Sequence, residues 1–246
     1  YIDHSVIEFL RSNKHIWDRS GTKLELTVYS YKTNDVQQIW DALTSEIWPI
    51  FATNIRNLGF TSANGLDNFR RHTSPTILTD LNHLNSINSN FLLPDAIADD
   101  GPDATAGQVL SKWLHIPTTD GQPKRLYCHG YYDESNLEWI NNLKEAFPRA
   151  TSSASFIIRI DRERAMSNAE PFELENERTK EKLTLEKEPR SAGYWLLKRC
   201  PISEKAAAIQ FENWDANLNK IKFHLWGDIN KFIGPLSPPT EEKADE

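Results

Sequence analysis

Histidine, cysteine and clustered carboxylates are the side chains with which this chain of 246 residues could bind a metal or carry out acid–base and nucleophilic chemistry. Its seven histidines, His4, His15, His72, His83, His115, His129 and His224, are scattered, and none stands at an H-x-x-x-H spacing. Neither Cys128 nor Cys200 belongs to a C-x-x-C pair. His129 follows Cys128 directly, but adjacent strand residues point to opposite faces, so this adjacency cannot serve one metal. The stretch from Gly101 to Gln108 invites comparison with a phosphate loop. It has one residue too many between Gly101 and Gly107, and Gln108 stands where that loop needs lysine. It reads instead as the start of a helix capped by Asp103. There is no G-x-S-x-G elbow. Asp99-Asp100 lacks further spaced ligands, and with 35 acidic residues no carboxylate pair stands out as an acid–base couple. The expectation is a protein that is not an enzyme and uses no cofactor or metal.

Tyrosines at strand ends offer a different chemistry. Tyr29 and Tyr31 follow one expected parallel strand, and Tyr131 and Tyr132 follow another. Loops at the carboxyl ends of parallel strands form the usual binding crevice of open α/β sheets, and tyrosine is enriched at interaction hot spots. These four are the protein-binding candidates.

The elements that would position them alternate. Val6, Phe9, Leu10, Ile16 and Trp17 mark a helical stripe from Ser5 to Ser20, and Leu24–Val28 alternates as a strand. Val36, Ile39, Trp40, Leu43, Ile47 and Ile50 form the clearest helix, which Pro49 should end or kink near Trp48. Short strands follow at Asn57–Phe60, Leu84–Asn88, Lys124–His129 and Ser155–Ile160, with helical stretches between them, so strand centres recur at roughly 30–40 residues. Residues 1–165 therefore read as repeating β-α units in an open, curved, mainly parallel sheet of leucine-rich-repeat-like form. Over 166–235 the pattern becomes an antiparallel β-hairpin and meander packed on that sheet. Pro171–Glu175 and Lys182–Glu186 alternate cleanly, Tyr194–Leu197 runs on toward Cys200, a helix spans roughly Glu204–Asn217, and Ile221–Leu225 is a late strand. Residues 236–246 read as an acidic, disordered tail.

Composition narrows the class. A 39% hydrophobic content with eight Trp, eleven Phe and seven Tyr supplies a core, so the chain reads as globular. A net charge of −7 without a basic block argues against nucleic acid, and no apolar run approaches membrane-spanning length. Two cysteines inside apolar runs and no Asn-x-Ser/Thr sequon fit a reducing, cytoplasmic or nuclear setting. The opening Tyr1-Ile-Asp-His4, with no Met and no signal-peptide pattern, reads as a fragment.

Several segments resemble a lineage-expanded family of F-box-domain proteins from plant-parasitic nematodes. They are Tyr1–Leu10, Ser74–Asp80, Ala106–His115, Asp120–Lys124, Pro171–Leu174 with Lys182–Leu185, and Trp195–Ile202, in the family's order. The resemblance places this chain after the F-box, which would lie upstream and is absent from these residues. It implies the substrate-recognition region of an adaptor for a cullin-type ubiquitin ligase. A protein substrate would bind here, and the Skp-type linker and cullin would attach only through the F-box. The resemblance brings no catalytic residues with it. The alternative is a stand-alone α/β binding domain, or a secreted nematode effector without a ligase connection.

Overall fold

Nine strands form a single sheet, and the order in which they pair explains how the alternating segments assemble. The computed structural model describes residues 4–16, 21–29, 33–61, 64–90, 92–129, 136–161, 166, 169–188, 193–202 and 219–226. The strands are β1 (Thr22–Tyr29), β2 (Ile55–Phe60), β3 (Ser86–Asn90), β4 (Lys124–His129), β5 (Phe156–Asp161), β6 (Phe172–Asn176), β7 (Glu181–Lys187), β8 (Tyr194–Pro201) and β9 (Asn219–Trp226). Their spatial order is β6-β7-β8-β5-β4-β3-β2-β1-β9. From β1 to β5 consecutive strands are parallel neighbours, as expected where a helical segment separates each strand from the next. The β6–β7 hairpin and β8 are antiparallel, and β8 joins them to β5. β9 pairs in parallel with β1 at the opposite edge. The strands of the C-terminal third thus extend the same sheet at both ends. The structure is a mixed α/β fold with a mostly parallel open sheet; it does not establish leucine-rich repeats.

The longer helices are α1 (His4–Ser12), α2 (Thr33–Ala42), α3 (Gly65–His72), α4 (Ala106–Leu114) and α5 (Asn136–Ala146). Alternate strand residues, among them Leu24, Leu26, Leu58, Phe60, Ile87, Leu126, Ile158 and Leu197, join Trp40, Phe69, Trp113 and Ile140 of the helices in one apolar core. Phe69 is a hub. Trp48 meets its ring edge-on at 4.7 Å, and the Phe60 ring lies 5.7 Å away.

Local details depart from the sequence expectations for identifiable reasons. Near Pro49 the second helix is interrupted rather than terminated, the weaker of the two outcomes expected there. The chain passes through a π-helical turn, Leu43–Ile47, in which the Trp48 amide bonds the Leu43 carbonyl, and continues helically over Trp48–Phe51. The widened turn suits a proline, which lacks an amide proton and crowds the preceding turn. The cap of α4 is Thr105 rather than Asp103. Its hydroxyl accepts from the Gln108 amide, and the Gln108 side chain accepts from the Thr105 amide, completing a capping box. Leu10 of α1 is buried while Phe9, and Ile16 beyond the helix, are exposed, so the expected apolar stripe faces the core only in part. The helix expected over Glu204–Asn217 lies outside the described residues.

Candidate recognition site

The two faces of the sheet differ in chemistry. One face carries the apolar residues of the core; the other presents their strand neighbours. On that second face the strand registers line up Lys222, Glu25, Gly59, Asn88, Tyr127, Arg159, Leu196 and Glu186 across eight strands. Cross-strand bonds confirm the arrangement. Lys222 pairs with Glu25 at 2.9 Å, Thr61 donates to Thr27 at 2.8 Å, and Lys198 donates to Glu186 at 2.5 Å. Some members of this face, including Asn57, Ser86 and Thr27, are fully buried.

Toward the carboxyl ends of β4 and β5 the polar face gathers its aromatic and charged groups. The Arg159 guanidinium lies 3.8 Å from the centre of the Tyr194 ring and 4.9 Å from that of Tyr127. It donates to the Tyr127 hydroxyl at 2.9 Å and to the Glu188 carboxylate at 2.7 Å. Glu188 is held in turn by its own amide, which donates to the Tyr194 carbonyl at 2.9 Å. Two residues further along each strand, on the same face, His129 Nδ1 sits 3.8 Å from Asp161, with its ring edge-on to Tyr127 at 3.8 Å. Burial holds the Tyr127 phenol above its usual range, helped by a hydrogen bond with Tyr194 and opposed by Arg159. Burial pulls the His129 imidazole below its ordinary value, against the charge of Asp161.

This arrangement can present a rigid cation flanked by two rings and two carboxylates. His129 and Asp161 are an acid–base pair by type, but Cys128 points to the other face, buried in the core, and burial raises its thiol far above the usual range. Among the described residues no group of three or more His, Cys, Asp or Glu could hold a metal ion.

Of the tyrosines expected to bind, Tyr29 closes β1, its main chain in register with Trp226. Its side chain, and Tyr31, Tyr131 and Tyr132 entirely, lie outside the described residues. The cluster built around Arg159 was missed by sequence reasoning. Its signal was the alternation of Tyr127 with His129 and of Arg159 with Asp161 at the ends of two expected strands, which become neighbours only when the strands align in register. No described helix is long and apolar enough to cross a membrane. No protein-family model matches this chain, and no match was found among curated proteins or solved structures.

Proposed function

We propose that this chain is the substrate-recognition region of an F-box-type adaptor for a cullin ubiquitin ligase, a non-enzymatic protein-binding scaffold of the cytoplasm or nucleus. The observation that carries the recognition part is the Arg159 guanidinium held between Tyr127 and Tyr194 at the carboxyl ends of parallel strands. Arginine and tyrosine dominate interaction hot spots because they offer large, rigid contact area with a polar end. Order is already built into the cluster through Glu188 and the Tyr127 hydroxyl, so less freedom is lost on binding. The ligase part rests on the family resemblance of the segments from Tyr1 to Ile202. In this reading the consecutive β-α units act as a curved, leucine-rich-repeat-like scaffold for a protein substrate.

The test is co-purification of the full-length gene product with the Skp-type linker, with residues 1–246 as control. Binding by the full-length product and not by the control is the expected result. If neither binds, the adaptor reading is wrong, and the chain is to be studied as an independent binding domain. Where the full-length product does bind the linker, Arg159→Ala and Tyr194→Ala should weaken capture of a ubiquitylated target while leaving linker binding intact.

A further inference from the structure

A second binding chemistry lies on the helix-covered side of the sheet. A pocket of about 90 Å³ opens between the end of α4 and the side of α5. Leu114, Trp139, Leu143 and Phe156 supply its apolar walls, with Asp95, Ser111, His115 and Arg199 as polar groups. Trp139 and Leu143 pack on the core while remaining partly exposed, so an occupant would complete their burial.

The polar groups differ in what they leave to a ligand: the Asp95 carboxylate accepts from the Thr105 hydroxyl, and the Ser111 hydroxyl donates to the Asp95 carbonyl. Arg199 is committed within the fold, bonded to Glu181 at 2.7 Å and to the Ser152 carbonyl at 2.6 Å, so its charge is already met. His115 Nδ1 lies 2.7 Å from the Ser111 carbonyl, an acceptor, which places the imidazole proton on Nδ1 and leaves Nε2 as an acceptor. The Phe156 ring meets the imidazole edge-on at 5.8 Å and fixes its plane. Burial, reinforced by the Arg199 and Lys112 charges and opposed by the Ser111 carbonyl hydrogen bond and by Glu181, favours the neutral ring.

We propose that this pocket is a site for a small neutral molecule with a compact branched aliphatic body and one hydroxyl or N–H donor, which His115 Nε2 accepts. An anion has no unmet cation to bind here. The volume favours a smaller body than benzene, which is held by an engineered apolar cavity of about 150 Å³. An isobutyl-sized group matches the smaller space, and a Kd on the order of 1 mM, well within the ceiling for so few heavy atoms, is expected.

The test is a titration of the whole chain with isobutanol, followed by amide chemical shifts, with isobutyl methyl ether as the probe that cannot donate. Saturable shifts confined to the end of α4 and the facing side of α5 are expected, with the alcohol about fivefold tighter than the ether. Affinity should hold above neutral pH and fall in acid as Nε2 gains a proton. Leu143→Trp, a change at a half-exposed helix position, should fill the space and abolish binding, its unchanged remaining spectrum showing that the fold is kept. His115→Phe should erase the preference for the alcohol. Absence of saturable shifts, equal binding of alcohol and ether, or unchanged binding by Leu143→Trp would overturn the proposal.

Discussion

The Lys124 ammonium lies 4.7 Å from the centre of the Trp113 ring and donates to the Trp113 carbonyl at 2.5 Å. Trp113 belongs to the last turn of α4, where unsatisfied carbonyls favour a cation. A lysine that opens β4 thereby ties the end of that helix to the sheet. Lys124 is only 4% exposed, and burial lowers its pKa to about 7.

Stability should therefore depend on pH on the alkaline side. Between the folded value of about 7 and the ordinary 10.5, the unfolded chain holds a proton that the native lysine does not. Unfolding free energy should rise across that window and stay lower below pH 7, where the buried charge is present. Lys124→Met should flatten the rise, which is on the order of 3–5 kcal/mol. Urea denaturation at pH 6, 8 and 10 measures it; an equal slope in both proteins would show that the lysine is not responsible.

Arg70 is a clamp between two loops. Its guanidinium donates to the carbonyls of Pro75, Ala104 and Gly101 at 3.1, 2.8 and 2.9 Å, in a side chain 6% exposed. Arg70→Met keeps much of the apolar stem but takes a donor from three carbonyls, of which Gly101 retains the Ala104 amide, so a loss of about 2–4 kcal/mol is expected. Thermal unfolding of the variant, with hydrogen exchange over 99–105, reads both the magnitude and its location.

The Arg199–Glu181 pair joins β8 to β7 with 3% of each side chain exposed. Glu181 also accepts from the Ala154 amide at 2.6 Å, so it fastens the segment before β5. Glu181→Leu alone should cost about 3–5 kcal/mol by leaving a buried cation unpaired. Arg199→Met added to it should recover a large part, giving a strongly non-additive double-mutant cycle. Additive losses would mean that the two side chains contribute separately.

Cys128 and Cys200 are buried thiols that no disulfide joins. They stand on different faces of the sheet with β5 between their strands, so no local adjustment bridges them. Native protein should react with an aromatic disulfide reagent only as fast as it unfolds, and denaturant should release two thiols per chain. Rapid reaction of one thiol in the native state would point to local opening of its strand.

Legibility followed the range of the forces involved. Lys124–His129 was readable to the residue because its alternation and the Pro123 that precedes it are local. The β6–β7 hairpin was readable for the same reason, and Lys180, at a φ of 57°, sits in the connection expected between its strands. Errors arose where one local signal competed with another. Asp103 and Thr105 are both good capping types, and only Thr105 has a glutamine three residues on. Pro49 signals a helix end, yet Ile47, Ile50 and Phe51 are buried, and packing carries the helix onward.

By itself the sequence determined which segments are helical and which extended, because hydrophobic period and capping act within a few residues. It also determined the alternation that makes β1 to β5 parallel, since a helix between strands leaves no other geometry. Tertiary structure decided the rest. That β8 lies beside β5, that β9 returns to β1, and that Arg159 meets both Tyr127 and Tyr194 depend on pairing between residues 32 and more positions apart. Such contacts form only when the whole apolar face closes, and no local pattern encodes their register.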